Sequence, residues 1–394
     1  MARGRRGKGK NQAKRFLLAV IALVLAAVYP VQEQLTKETG GTAVSDGSTL
    51  EVHYLDIGQG DCTLIRQGDH AMLIDAGNNS KGTKVQAYLE NQGIDHLDYV
   101  IGTHPDADHI GGLDVIIYKF DCDEVWMPDY SKDTRTYDDV IQAVKAKDYQ
   151  ITHPKTGDEY ALGEARVTVV CPVKDSYGSN ANDYSIGVRV QFGENSFLFT
   201  GDAEEHSEED MTASGENLNA DVYKAAHHGS RTANTEDFLK AVDPQYVVFS
   251  CGEGNTYGHP HAEVLNRLRE MGIQIFRTDD QGTVIAVSNG STITWNQDPC
   301  NDYSAGSDSA DDASDSYDAG SGSDVRYSGG SDSTQNADNG TETEDTQDTM
   351  VWISETGSKY HSIPNCGKMN PDKAWQESEA QARSQGYEAC KKCW

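Results

Sequence analysis

At 394 residues the chain is longer than one average domain and shorter than three, and a hydrophobic content of 37% excludes a polytopic membrane protein. Its 63 acidic side chains outnumber the 33 basic ones for a formal charge of -30, so long-range attraction of polyanions such as nucleic acid starts at a disadvantage.

Arg3, Arg5, Arg6, Lys8, Lys10, Lys14 and Arg15 precede an apolar run from Phe16 to Val28. A basic stretch followed by an apolar run of that length is the pattern of a secretory signal or a short uncleaved anchor. Residues 1–31 therefore predict export to an extracellular or cell-surface location, with membrane contact where the signal is kept. Residues 32–48 read as a polar linker, and 49–297 as one mixed α/β domain. Its first runs, Leu50–Leu55, Cys62–Ile65 and Ala71–Ile74, predict a strand meander, followed by a helix over Thr83–Asn91 and a strand over Leu97–Ile101. Further strands are predicted at Ala165–Val170, Ile186–Phe192, Phe197–Thr200, Val222–Ala225, Tyr246–Phe249, Ile273–Phe276 and Gly282–Val287. Helices are predicted at Tyr137–Ala146, Ala203–Met211, Thr235–Ala241 and His261–Met271. Residues 298–349 are rich in Ser, Asp and Gly, nearly free of aliphatics, and predict a disordered acidic tether. A small module occupies 350–394.

Two clusters carry metal chemistry. After the strand at Leu97–Ile101, His104, Asp106, Asp108 and His109 fall within six residues. Two imidazoles and two carboxylates converge on one loop only around positive charge, and the nitrogen and oxygen mixture suits Zn²⁺ or Mn²⁺. In the terminal module, His361 and Cys366 precede a Cys390-x-x-Cys393 pair, a spacing for one structural zinc. A module this short needs such a staple, and Trp352, Trp375 and Trp394 are expected to pack its core. A disulfide between two of these cysteines is the alternative in an oxidising compartment. Elsewhere, Cys62 and Cys171 read as buried hydrophobes.

Seven ordered motifs resemble the metallo-β-lactamase fold, specifically its ComEC-like branch. They are His53-Tyr54-Leu55-Asp56-Ile57-Gly58-Gln59-Gly60-Asp61, Leu73-Ile74-Asp75-Ala76-Gly77, the His104–His109 cluster, Asn182-Asp183-Tyr184-Ser185, Leu198-Phe199-Thr200-Gly201-Asp202, Ala226-His227-His228-Gly229-Ser230 and Tyr257-Gly258-His259-Pro260-His261. The resemblance implies an αββα sandwich holding two divalent metal ions. It assigns His104 and Asp106 to one ion, Asp108 and His109 to the other, Asp202 to both, and one of His227 and His228, preferably His228, to the second. Asp75 is implied as a carboxylate that orients ligands. The usual His at position 106, and another near 182–187, are missing, departures that the ComEC-like branch shares. Asp108, His227 and His259 are the implied catalytic groups. His259, His261, Asn182, Ser230 and Lys224 are expected to face substrate, with Arg231 adding positive charge. The implied activity is phosphodiester hydrolysis, with DNA as substrate where such domains accompany a DNA-uptake channel. Two alternatives remain: a phosphoesterase acting on phosphocholine-type envelope esters, and a non-catalytic scaffold that binds envelope or DNA. The terminal module resembles Ada-type metal-binding modules.

Overall fold

The computed structural model describes residues 44–45 and 47–306 and, in the terminal module, 350–354, 357–362, 366, 369, 373–384 and 387–393. Residues 1–31, expected to be a signal or anchor, and residues 307–349 of the expected tether lie outside the described residues. Among the described residues no helix is long and apolar enough to cross a membrane. They divide into two compact units, one running to Glu253 and resuming over Pro260–Ser304, the other formed by Gly254–His259 and the residues from Ala305 onward.

The first unit contains two sheets. One consists of β1 (Leu50–Tyr54), β2 (Thr63–Gln67), β3 (His70–Ile74), β4 (His96–Ile101), β5 (Asp121–Trp126) and the two-residue β6 (Ile151–Thr152). The other contains β7 (Glu159–Leu162), β8 (Ala165–Cys171), β9 (Gly187–Phe192), β10 (Asn195–Phe199), β11 (Val222–Lys224), β12 (Tyr246–Phe249) and β13 (Gln274–Arg277). The chain then returns to the first sheet as β14 (Val284–Ser288) and β15 (Ile293–Trp295), giving the orders β15-β14-β1-β2-β3-β4-β5-β6 and β13-β12-β11-β10-β9-β8-β7. Alternate residues of β1, Leu50, Val52 and Tyr54, join Ile65, Met72 and Ile74 in one core with Val167, Val169, Val188, Val190, Phe197 and Phe199 of the second sheet. This is the period-2 burial of two stacked sheets.

Strands β10 to β13 are parallel. They are connected through the helices Glu205–Ser214, Glu236–Val242 and Ala262–Glu270. β3, β4 and β5 are also parallel. The loops that leave the carboxyl ends of β3, β4, β10 and β11 carry Asp75, His104–His109, Asp202 and His227–His228. Open α/β sheets place their ligand sites along such an edge.

Several elements were not expected from the sequence, among them the short strands β6, β7 and β15 and two longer elements. Leu113–Lys119 is a helix with six of its seven residues buried, and an apolar run enclosed on all sides carries no readable period. Asp121–Trp126 is a strand whose exposed acids at 121 and 123 disguise the buried Cys122, Val125 and Trp126.

In the second unit, β16 (Met350–Ile353), β17 (Lys359–His361), β18 (Trp375–Ser378) and β19 (Glu388–Ala389) form a sheet in the order β18-β16-β17-β19. Val351, Ile353, Tyr360 and Ala382 are its buried cluster. Trp352 is buried, but Trp375 is 39% exposed and does not fill the core as expected. Trp394 lies outside the described residues.

Candidate metal centre

The loops are locked before any ligand is considered. Asp61 N donates to Asp108 O at 3.1 Å, and Ala76 N to His109 O at 2.8 Å. Gly60 is required at its position, since a Cβ there would lie 2.3 Å from Asp108 O. After β11, His227, His228 and Gly229 have φ of +49°, +54° and +86°. Left-handed backbone costs a non-glycine residue roughly 1–2 kcal/mol and persists only where the surroundings enforce it. Here Asn234 enforces it. Its Oδ1 accepts from Ala226 N at 3.0 Å, and its Nδ2 donates to Ala226 O at 2.9 Å and Ser230 O at 3.3 Å. Glu208 in turn accepts from the backbone N–H groups of Asn234 and Thr235.

Four imidazoles result, all presenting Nε2 to one carboxylate oxygen. Asp202 Oδ2 lies 3.1 Å from His109, 3.6 Å from His228, 3.8 Å from His227 and 3.9 Å from His104. Asp108 Oδ2 is 3.3 Å from His228 Nε2. Every Nδ1 faces a group behind its ring. His109 meets Asp75 Oδ2 at 2.8 Å, His227 meets Glu204 Oε1 at 3.2 Å, and His104 meets Thr103 Oγ1 at 3.1 Å. His228 donates to Ser250 O at 2.9 Å, with Asp61 Oδ1 at 3.2 Å. Thr103 Oγ1 donates to Asp75 Oδ2, which leaves its lone pairs to the imidazoles. Imidazoles backed this way on Nδ1 are oriented as metal ligands are.

The electrostatics favour added positive charge. Burial pushes the Asp202 carboxyl up, but the surrounding imidazoles, His109 first, outweigh it and hold it well below the usual range. Burial also opposes charge on His109 and His228, yet the facing carboxylates, Asp202 foremost, raise His109 well above its ordinary value and His228 to about 10. His104 moves down, through burial and then the neighbouring His109. His104 Nε2 and Asp202 Oδ1 are buried with no hydrogen-bond partner among the described residues. Carboxylates that draw protons onto imidazoles, beside buried atoms lacking a donor or acceptor, fit a divalent cation that displaces those protons. Asp61, His109, Asp202 and His228 can offer ligand atoms all within 4.8 Å of one another.

Other residues singled out in the sequence are placed differently. Asp106 is half-buried with Oδ1 2.8 Å from Lys132 Nζ. Lys224 was expected to face substrate. It is instead 2% exposed and ion-paired with Asp61, because β11 is buried along its whole length and the ammonium must find an internal partner. Ser230 Oγ bonds Thr232 Oγ1 at 2.9 Å, and Asn182 Nδ2 donates to Glu204 at 3.4 Å. His261 accepts from Arg231 N at 3.1 Å and opens the helix Ala262–Glu270. His259 belongs to the second unit, where Asn255 grips its backbone at both N and O and Tyr257 stacks on its ring. Sequence reasoning passed over Asp61, Glu204 and Thr232. Asp61 did stand in the first motif, after the glycine that brings it against Asp108.

Residues 55–253 match the family described as "Metallo-beta-lactamase superfamily". The chain belongs to that superfamily. It is therefore a member of a superfamily of metal-dependent hydrolases. This metallo-beta-lactamase domain is similar to ComE operon protein 3 of Bacillus subtilis (strain 168), 31% identical over 252 residues that cover 59% of this chain and 32% of that protein. Competence protein ComA of Neisseria gonorrhoeae is 29% identical over 233 residues, covering 58% and 31%. The chain thus spans about a third of the length of these relatives. Among solved structures, Igni18, a metallo hydrolase from Ignicoccus hospitalis, is 17% identical with a TM-score of 0.42, covering 60% of this chain and 98% of that one.

The second unit brings together His361, Cys366, Cys390 and Cys393, with ligand atoms all within 4.8 Å. Cys366 Sγ is 3.7 Å from Cys390 Sγ, and Cys393 Sγ is 3.6 Å from His361 Nδ1. All eight cysteines are free thiols, so the alternative of a disulfide is not the arrangement found.

Proposed function

We propose that the protein is an exported, metal-dependent phosphodiesterase with nuclease activity, acting at the cell surface or outside the cell. The observation that carries the reading is the single oxygen, Asp202 Oδ2, ringed by four imidazole Nε2 atoms at 3.1–3.9 Å with Asp108 beside them. One carboxylate shared in this way suits a pair of divalent ions, Zn²⁺ or Mn²⁺, held by His104, Asp108, His109, Asp202 and His228. Ions bound there would supply Lewis acidity for the hydrolysis of a phosphodiester. The chain's own residues do the remaining work. Asp75 and Thr103 orient His109 and His104, Ser185 Oγ accepts from Asp202 N at 3.1 Å and fixes the shared carboxylate, and His227 lies on the open side, its side chain 24% exposed, where substrate oxygens approach. The name of one relative, Competence protein ComA, favours DNA as substrate.

The charge of -30 favours a second reading, a small phosphoester of the phosphocholine type, because such a substrate meets less repulsion than a long polyanion. In the terminal module we assign one structural zinc. Zn–S bonds of about 2.3 Å and Zn–N bonds of about 2.0 Å in tetrahedral geometry would set neighbouring ligands about 3.8 Å (S to S) and about 3.5 Å (S to N) apart. The separations of 3.7 and 3.6 Å match. The test is to assay the protein with added Mn²⁺ or Zn²⁺ on linear DNA, bis-p-nitrophenyl phosphate and p-nitrophenyl phosphorylcholine, beside an Asp108→Ala/His109→Ala variant. Metal-dependent DNA cleavage lost in the variant supports the nuclease. Turnover of phosphorylcholine alone selects the second reading, and silence on all three with metal bound leaves the non-catalytic scaffold.

A further inference from the structure

Glu204 stands two residues beyond Asp202, at the N-cap of the helix Glu205–Ser214, yet its side chain makes no capping bond to that helix. The carboxylate turns toward His227 instead. Its Oε1 lies 3.2 Å from His227 Nδ1 and accepts from Thr232 Oγ1 at 2.8 Å, while Asn182 Nδ2 approaches at 3.4 Å. Its Oε2 accepts from Asn180 Nδ2 at 2.8 Å. Thr232 Oγ1 is also 3.3 Å from His227 Nδ1, so hydroxyl, carboxylate and imidazole edge meet at one point.

His227 needs such a hold more than its neighbours do. The side chains of His104, His109 and His228 are at most 1% exposed and are fixed by the walls around them, whereas that of His227 is 24% exposed. Its backbone is left-handed, with φ of +49°, and its ring is the most exposed of the four. With the Nδ1 edge held by Glu204, the Nε2 edge is the one turned to Asp202 Oδ2, 3.8 Å away. Were the ring free to rotate, that edge would be aimed only part of the time, and a displacement of about 1 Å at a reacting centre costs on the order of 100-fold in rate.

We propose that Glu204 is a positioning residue, which locks His227 with Nε2 toward Asp202 on the substrate side of the centre. The assignment rests on the hydrolase reading above, and its test separates the two. In the full-length, Mn²⁺-loaded protein acting on bis-p-nitrophenyl phosphate, Glu204→Ala lowers kcat by about 10- to 100-fold with KM and metal content little changed. Glu204→Gln, which keeps an acceptor oxygen, recovers part of the loss. In a His227→Ala background, Glu204→Ala adds little further loss, because a residue acting through another has nothing left to act on. Nitrogen-detected NMR of the Zn²⁺-loaded protein should show His227 Nδ1 changing its signal in Glu204→Ala while the other site histidines keep theirs. The proposal is overturned if Glu204→Ala costs as much without His227 as with it, or if kcat and the His227 signal are both unmoved. If Glu204→Ala does not fold, Glu204→Gln carries the same comparisons. If the unmodified protein cleaves no diester, the hydrolase reading fails while the nitrogen spectrum still decides the role of Glu204.

Discussion

His109 Nδ1 lies 2.8 Å from Asp75 Oδ2, and neither side chain has any exposed surface. Asp75 also accepts from Thr103 N at 2.9 Å and from Thr103 Oγ1 at 2.8 Å, so one carboxylate fixes the β4 loop and a metal-facing imidazole together. Asp75→Ala should therefore weaken metal binding by about 10- to 100-fold, the usual cost of losing such a partner. Equilibrium dialysis against Mn²⁺ checks this, and unchanged affinity would make Asp75 a turn residue only.

The buried pair of Lys224 and Asp61 makes a different prediction. Both side chains are at most 6% exposed, and Asp61 also faces His228 and His109. Lys224→Met leaves a buried carboxylate without its cation, a change that costs about 3–5 kcal/mol when a buried pair loses one partner. Adding Asp61→Asn should recover much of that loss, because the charge left behind is removed as well. Urea unfolding of both variants measures it. Full additivity of the two losses would mean that the pair is not coupled.

Lys224 also marks where sequence reasoning stops. The run His104–His109 stands out because its ligand-type residues are neighbours in the chain, whereas Asp202 and His228 are named only through the resemblance to the metallo-β-lactamase fold. Asp61 and Lys224 meet across 163 positions, a contact no local spacing encodes. Beside two histidines a lysine reads as free positive charge. Burial of every residue of β11 reverses that meaning, and it depends on what packs on both faces of the sheet. Glu204 was hidden similarly, since an acid at a helix start reads as a helix-end charge and only the folded chain turns it to His227.

Glu208 sets a pH dependence away from the metal ligands. Burial pushes its carboxyl up to about 7 from an ordinary value of 4.5, against the backbone N–H groups of Asn234 and Thr235, which pull it down. The folded state therefore keeps this proton where the unfolded chain has lost it. The resulting stability is fully present below about pH 4.5 and is lost as pH rises through about 7, at up to about 1.4 kcal/mol per unit. In Glu208→Gln, which cannot ionise, this component of the pH slope should vanish. Unfolding free energies at closely spaced pH values across that window decide it, and an unchanged slope would assign the dependence to other groups.

The terminal module should lose its metal independently of the hydrolase centre. Among the described residues its buried cluster is Val351, Ile353, Tyr360 and Ala382, a small core to hold a sheet of this length without help. His361, Cys366, Cys390 and Cys393 join β17, the segment before β18 and the end of the chain. A cation bound there contributes to folding directly, since no such site exists in an unfolded chain. Cys390→Ser should remove one equivalent of zinc by elemental analysis and expose the module to protease. Mn²⁺-dependent turnover of bis-p-nitrophenyl phosphate should persist, because none of the four ligands belongs to the unit that carries Asp202. Loss of turnover together with the zinc would instead make the module part of the catalytic unit.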